Sequence, residues 1–221
     1  MKESPSSFLN LKTGWLCLDF INTVDWHDST HPEERLSSYA KIVAWAREVG
    51  LLTDVCSEQV LGESEKRPKE AQAVLAKAIA VRESMYHILV DRIHGLTIGS
   101  DNLAILNESI TDMLARSILV PNGDRGFVWD WNCDPMSLDM FLLPVVRSVV
   151  DLLTSESLGR VGQCADERGC GWLFLDNSKN HSRRWCDMRD CGNSAKARRY
   201  YRKNLLTSTE LQPQAGRDGR L

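Results

Sequence analysis

Cys164-Ala165-Asp166-Glu167-Arg168-Gly169-Cys170-Gly171-Trp172-Leu173-Phe174-Leu175, followed by Arg184-Trp185-Cys186-Asp187-Met188-Arg189-Asp190-Cys191, holds four of the chain's seven cysteines within 28 residues. Thiolates suit a borderline-soft ion. Two pairs of them from separate turns close a tetrahedral zinc site with no position left for water, so the site builds structure and does no chemistry. Five residues separate Cys164 from Cys170 and four separate Cys186 from Cys191, at or just beyond the usual spacing of two to four. Two disulfides or scattered free thiols are the alternatives, and nothing in the sequence marks secretion.

Outward from the cysteines, Gly171 to Leu175 reads as a strand, Asn177-Ser178-Lys179-Asn180 as a turn, and Arg184-Trp185 as a returning strand. Asn193 is an acceptable N-cap for a helix that follows. Knuckle, hairpin, second knuckle and helix make a treble-clef-like order. On that helix Lys196, Arg198, Arg199, Arg202 and Lys203 share one side, and Ala197, Tyr200, Tyr201 and Leu205 fall on the other, the side expected to pack on the hairpin. From Arg160 to Leu206 there are eleven Lys or Arg and five Asp or Glu, net +6. The whole chain is −3, so the remainder sums to −9. This asymmetry is the footprint of a segment that meets a polyanion. Counter-charge for a zinc tetrathiolate of formal charge −2 is the other reading for Arg183, Arg184 and Lys196, yet it leaves positive charge over.

The run Cys170 to Asp176, then Arg183-Arg184-Trp185-Cys186-Asp187-Met188, Cys191-Gly192-Asn193 and Lys196-Ala197-Arg198 resembles the CGNR zinc finger. It departs at Ser194, where that family's arginine would stand. The resemblance implies one structural zinc on Cys164, Cys170, Cys186 and Cys191. It also implies an N-terminal ABATE domain and membership of a group treated as stress-induced transcription regulators. Leu18-Asp19-Phe20-Ile21-Asn22-Thr23 is similar to the opening of ABATE domains.

The chain of 221 residues has room for one substantial core and a small satellite. Its 43% hydrophobic and 26% charged residues are those of an ordinary water-soluble protein. No apolar run approaches the roughly 18 residues of a membrane span, and Trp15 to Val24 lacks the basic start of a signal peptide, so the expected location is cytoplasmic. Cys17, Cys56 and Cys133 are expected to be reduced and buried. The expected divisions are a sensor or dimerisation domain over 1–159, the finger over 160–206 and a disordered tail over 207–221. The expected fold class is α+β, a mostly helical N-terminal domain with a small β element.

Residues 1–13 read as a loose lead-in. Trp15 to Val24 reads as a buried strand turning at Asn22-Thr23. Asp19, Asn22 and Thr23, with Arg82, are candidates for a ligand pocket; the alternative is that they bond neighbouring backbone and shape the turn. Asp25, His27, Asp28 and His31 read as a solvated loop rather than a metal site. A helix follows over about 36–49, then a short helix and a loop between Ser57 and Lys69, a long helix from Pro68 to about His94, and another from Ser100 or Asp101 to about Ser117. Ile118 to Val120 and Phe127 to Trp131 form a hairpin, with Trp129 and Trp131 expected in the core. A last helix runs from Pro135 or Met136 towards Leu158 with a kink at Pro144, and Gly159 and Gly162 are hinge material before the finger.

These readings converge on a zinc-dependent regulator that binds double-stranded DNA through Arg183, Arg184, Lys196, Arg198, Arg199, Arg202 and Lys203. A small-molecule effector and a homodimer are possible partners. The alternative is a small-molecule-binding protein or enzyme whose finger is structural or a protein or RNA contact module. No Walker A pattern, dinucleotide fingerprint, His-Glu-x-x-His or Gly-x-Ser-x-Gly occurs, so no enzyme is expected.

Overall fold

The computed structural model describes residues 13–132 and 136–209, with side chains described as far as Arg202. The lead-in before Thr13, Cys133, Pro135, the side chains of Lys203 and Leu205, and the tail from 210 lie outside the described residues. Seven α-helices and three two-stranded antiparallel sheets are described, in keeping with the α+β class. No described helix is long and apolar enough to cross a membrane.

Leu16–Ile21 is a short helix, α1, where the sequence suggested a strand. A six-residue run whose only polar residue is Asp19 fits either element, and tertiary packing decides. Here Cys17, Leu18, Phe20 and Ile21 are all fully buried, because α1 lies among the long helices α4 (Pro68–His94) and α6 (Leu142–Leu153). Burial pushes the Cys17 thiol up to about 12, so it is an inert core group.

Helix α2 (Tyr39–Glu48) starts at Ser38, whose side chain accepts a hydrogen bond from Lys41 N. It buries Ile42, Val43, Trp45 and Ala46. Helix α3 (Asp54–Lys66) is capped by Thr53. Helix α4 has Pro68 in its first turn and ends at Gly95 in the left-handed region. Helix α5 (Ser100–Arg116) lies along α4.

Pro144 produces no kink, because α6 begins at Leu142 rather than near residue 136. A proline in the first turn removes an N–H that has no helical partner anyway. The ribbon β3 (Ser117–Pro121) and β4 (Phe127–Trp131) forms in the expected place. It does not enter the core as expected: Phe127 is 69% exposed and Trp129 46%. Trp129 instead lies under the Arg147 guanidinium, 4.7 Å from the ring centroid. Only Trp131, at the base, packs against the core.

The finger's hairpin completes the core. β5 (Val161–Gln163) pairs with β6 (Leu173–Leu175) in the register Val161↔Leu175, Gly162↔Phe174 and Gln163↔Leu173. The partner of β6 therefore precedes Cys164; it is not Arg184-Trp185. Val161 and Leu173 belong to the same buried cluster as Phe20, Trp45 and Leu89. Gly162 is no hinge: a Cβ there would come within 2.9 Å of the Phe174 ring. Gly159 lies in a short 3-10 segment, Glu156–Arg160, that follows α6.

A candidate zinc centre and nucleic-acid interface

The β5–β6 ladder continues one step beyond the strands, with Cys164 N donating to Trp172 O at 2.8 Å. The turn between them carries Cys164 and Cys170. Of the second pair, Cys186 precedes and Cys191 lies within a π-helical turn, Met188–Gly192, whose start Asp187 caps by accepting from Arg189 N. That turn runs directly into α7 (Asn193–Thr209), three residues past the expected start of the tail. Neither Gly nor Pro occurs between Asn193 and Thr209 to stop it.

The sulfurs of Cys164, Cys170, Cys186 and Cys191 all lie within 4.8 Å of one another. Cys170 and Cys186 Sγ are 3.6 Å apart, and Cys186 and Cys191 Sγ 3.7 Å. A regular tetrahedron with zinc–sulfur bonds of about 2.3 Å has edges of about 3.8 Å. The four residues thus fit one zinc ion, and their spacing is far too long for disulfides. Zinc would hold the four as thiolates, so that its binding releases their protons and strengthens as pH rises.

Trp26, Trp172 and Trp185 wall the sulfurs. Trp26 comes from the segment between the short strands β1 (Val24–Asp25) and β2 (Glu33–Glu34), and the Arg168 guanidinium lies 4.8 Å from its ring centroid. This segment was expected to be a solvated loop. It is instead a strap across the knuckle: His27 N donates to Cys170 O at 3.0 Å and Asp28 N to Gly169 O at 3.1 Å. Gly169 and Gly171 have φ of +86° and +68°, and added Cβ atoms would sit 2.8 Å and 2.6 Å from the Asp28–Ser29 backbone. Glycine is required at both for conformation and for room. The His27 ring stacks on Tyr86, 3.6 Å between centroids, and its Nε2 contacts Glu83 at 2.9 Å. Burial alone would raise the Glu83 carboxyl, but His27 and Arg82 outweigh it and lower it to about 2.

The residues proposed for a ligand pocket have other work. Asn22 acts as a strand partner for β6, donating from Nδ2 to Leu173 O at 2.8 Å and accepting from Leu173 N at 2.9 Å. Thr23 Oγ1 donates to Phe20 O and accepts from Arg82 Nη1. Arg82, 2% exposed, is held by Glu34 and Glu83. Asp19 accepts from Thr13 N. Three of the four are absent from the cavity walls described below. Their polar groups meet partners inside the fold, as buried polar groups must.

A cleft of about 520 Å³ does lie nearby, between body and finger. Asn22, Asp25, Trp26 and Arg35 line it from one side, Trp172, Asn177 and Arg189 from the other, and the zinc ligands Cys170, Cys186 and Cys191 lie in its wall, so it adjoins the metal centre. Sequence reading missed it because its walls come from segments about 150 residues apart.

The basic residues divide into two groups. Arg183 is a buckle: it donates to Leu175 O at 3.2 Å, Trp185 O at 2.9 Å and Cys186 O, and lies over the Phe174 ring. Arg198 Nη2 reaches Asp166 at 2.6 Å and Arg202 Nη2 reaches Glu167 at 3.0 Å. The Asp166 side chain is fully buried. Burial would raise its carboxyl, but Arg168 and Arg198 hold it well below the usual range. Arg184 lies over the Trp185 ring, and Lys196 and Arg199 are exposed on α7.

The helix faces the opposite way from expectation. Ser194, Ala195 and Arg198 are its half-buried residues, while Ala197, Tyr200 and Tyr201 are exposed. The acidic pair Asp166-Glu167 draws the arginine face inward, and ion pairing overrides the apolar pattern. Ser194 shares that half-buried face with Arg198, one turn on.

The fold and site define a helical domain carrying a four-cysteine zinc finger. Residues 14–156 match the ABATE family model, described as "Putative stress-induced transcription regulator", and residues 160–204 match the CGNR zinc finger. The chain belongs to the ABATE family. A search of curated proteins finds no match.

Proposed function

We propose that the protein is a cytoplasmic, zinc-dependent transcription regulator that binds double-stranded DNA, and that it is not an enzyme. The outward face of α7 carries this reading. Lys196, Arg199, Tyr200 and Tyr201 are exposed together there, and neither Lys196 nor Arg199 has a carboxylate partner among the described residues. The zinc site and the strap fix that face relative to the body. Cations and tyrosines held this way suit a nucleic-acid backbone, with arginine able to grip guanine where it reaches a base.

Duplex affinity should fall steeply with salt, by roughly one logarithmic unit of affinity per logarithmic unit of salt for each phosphate neutralised. Replacing Lys196 and Arg199 by alanine should reduce that slope by roughly 2. A salt-insensitive affinity, or single-stranded RNA outcompeting the duplex, would contradict the reading.

The effector would occupy the cleft, whose volume of about 520 Å³ is that of small-molecule sites. A ligand there touches body and finger together. Filling the cleft with Asn177→Trp should abolish any shift in zinc-loaded melting temperature that an effector produces. An undiminished shift would place the effector elsewhere.

A further inference from the structure

A second, smaller concavity of about 100 Å³ lies on the finger, lined by Ala165, Glu167, Arg184, Trp185, Arg198 and Arg199, with Arg202 at its edge. We infer that this notch is a seat for one phosphate group, taken from a nucleic-acid backbone. The inference rests on the DNA-binding reading for the source of the phosphate, though not for the chemistry of the seat.

Four guanidinium groups and one carboxylate surround the notch. Glu167 pairs with Arg202 and the buried Asp166 with Arg198, in each case through Nη2 alone. Arg184 and Arg199 meet no carboxylate among the described residues. Six side-chain nitrogens among the described residues are buried without a hydrogen-bond partner. Two of them, the indole Nε1 of Trp185 and Nε of Arg198, belong to residues that line this notch, and buried donors normally find acceptors. The volume corresponds to about three waters, which suits a tetrahedral oxyanion and excludes a base or sugar. Arginine presents its N–H groups in a planar fork that matches phosphate oxygens.

The walls are tied together without the anion. Ala165 N donates to Arg184 O at 2.8 Å, joining the first knuckle to the segment before the second. Arg184 is stacked on Trp185, 5.4 Å from its centroid. The seat therefore belongs to the zinc-bound form of the finger. Arg199, exposed on α7, is one of its lining residues. A strand that crosses α7 would leave one phosphate at this point.

The test is a titration of the zinc-loaded full chain with inorganic phosphate at constant ionic strength, following the indole N–H resonance of Trp185, identified by its loss in Trp185→Phe. A saturable shift is expected with phosphate and none with chloride, and Arg184→Gln should weaken phosphate about tenfold, the value of one charge-assisted hydrogen bond. Duplex DNA should shift the same resonance and compete with phosphate. Absence of any saturable shift with phosphate while duplex still binds would overturn the seat and leave the DNA reading standing. A phosphate shift with no duplex binding would keep the chemistry of the seat but overturn its nucleic-acid source. Should Trp185→Phe fail to fold, the resonance is identified by through-space contacts in the wild-type protein, and the wild-type titration then decides the result.

Discussion

Stripping zinc with a chelator, or replacing Cys186 by serine, is expected to unfold much more than the finger. In an independent module the loss would stop at residue 160. Here Leu173 is fully buried and Val161 is 8% exposed in the cluster that contains Phe20, Trp45 and Leu89. The turn joining their strands carries Cys164 and Cys170, and the strap packs on that turn through His27 and Asp28. Structural zinc sites contribute about 10–16 kcal/mol of apparent binding energy. That is comparable to the whole stability of a typical domain, about 5–15 kcal/mol. Metal removal should therefore lower the melting temperature of α1 and α4 and raise hydrogen exchange in both. Unchanged protection of α1 after zinc loss would show that the body stands alone.

The second large effect is expected at Asn22. Its side chain supplies both hydrogen bonds to the backbone of Leu173, at 2.8 Å and 2.9 Å. Asn22→Ala leaves a buried N–H and a buried C=O without partners, each costing about 1–3 kcal/mol. A loss of about 3 kcal/mol in urea denaturation is expected, with one zinc still bound per chain. Asn22→Asp should not rescue it, because a carboxylate accepts from Leu173 N but has no proton for Leu173 O. A loss below about 1 kcal/mol would mean that water replaces the side chain at β6.

Most of the helical body was legible in the sequence. Pro68 and Gly95 punctuate α4 through local chemistry that needs no tertiary context. The zinc ligands were legible too, because thiolate chemistry constrains residue type and spacing together. What was not legible depended on distant partners. α1 is a helix because α4 and α6 surround it, and the segment from Trp26 to Ser29 is ordered because Gly169 and Gly171 leave room for its backbone. The direction in which α7 faces was misjudged because periodicity ranks residues by polarity. It gives no weight to Asp166 and Glu167, which lie about 30 residues earlier and claim Arg198 and Arg202. The hairpin β3–β4 was found from its turn, but its apolar alternation did not reveal that Phe127 and Trp129 face outward.

The four cysteines hold α7, the knuckle, the strap and the core in one arrangement. In that arrangement Arg183 and Arg198 tie the finger together and Arg202 pairs with Glu167 at the surface, while Lys196 and Arg199 are exposed without a carboxylate partner among the described residues. The separation is open to direct test. Duplex affinity should be measured for the wild type and for the double variant Lys196→Glu, Arg199→Glu, each shown to hold one zinc and to melt at the same temperature. The expected result is loss of detectable binding in the variant at a salt concentration where the wild type binds. Equal affinity in the two proteins would contradict the assignment of this face to DNA.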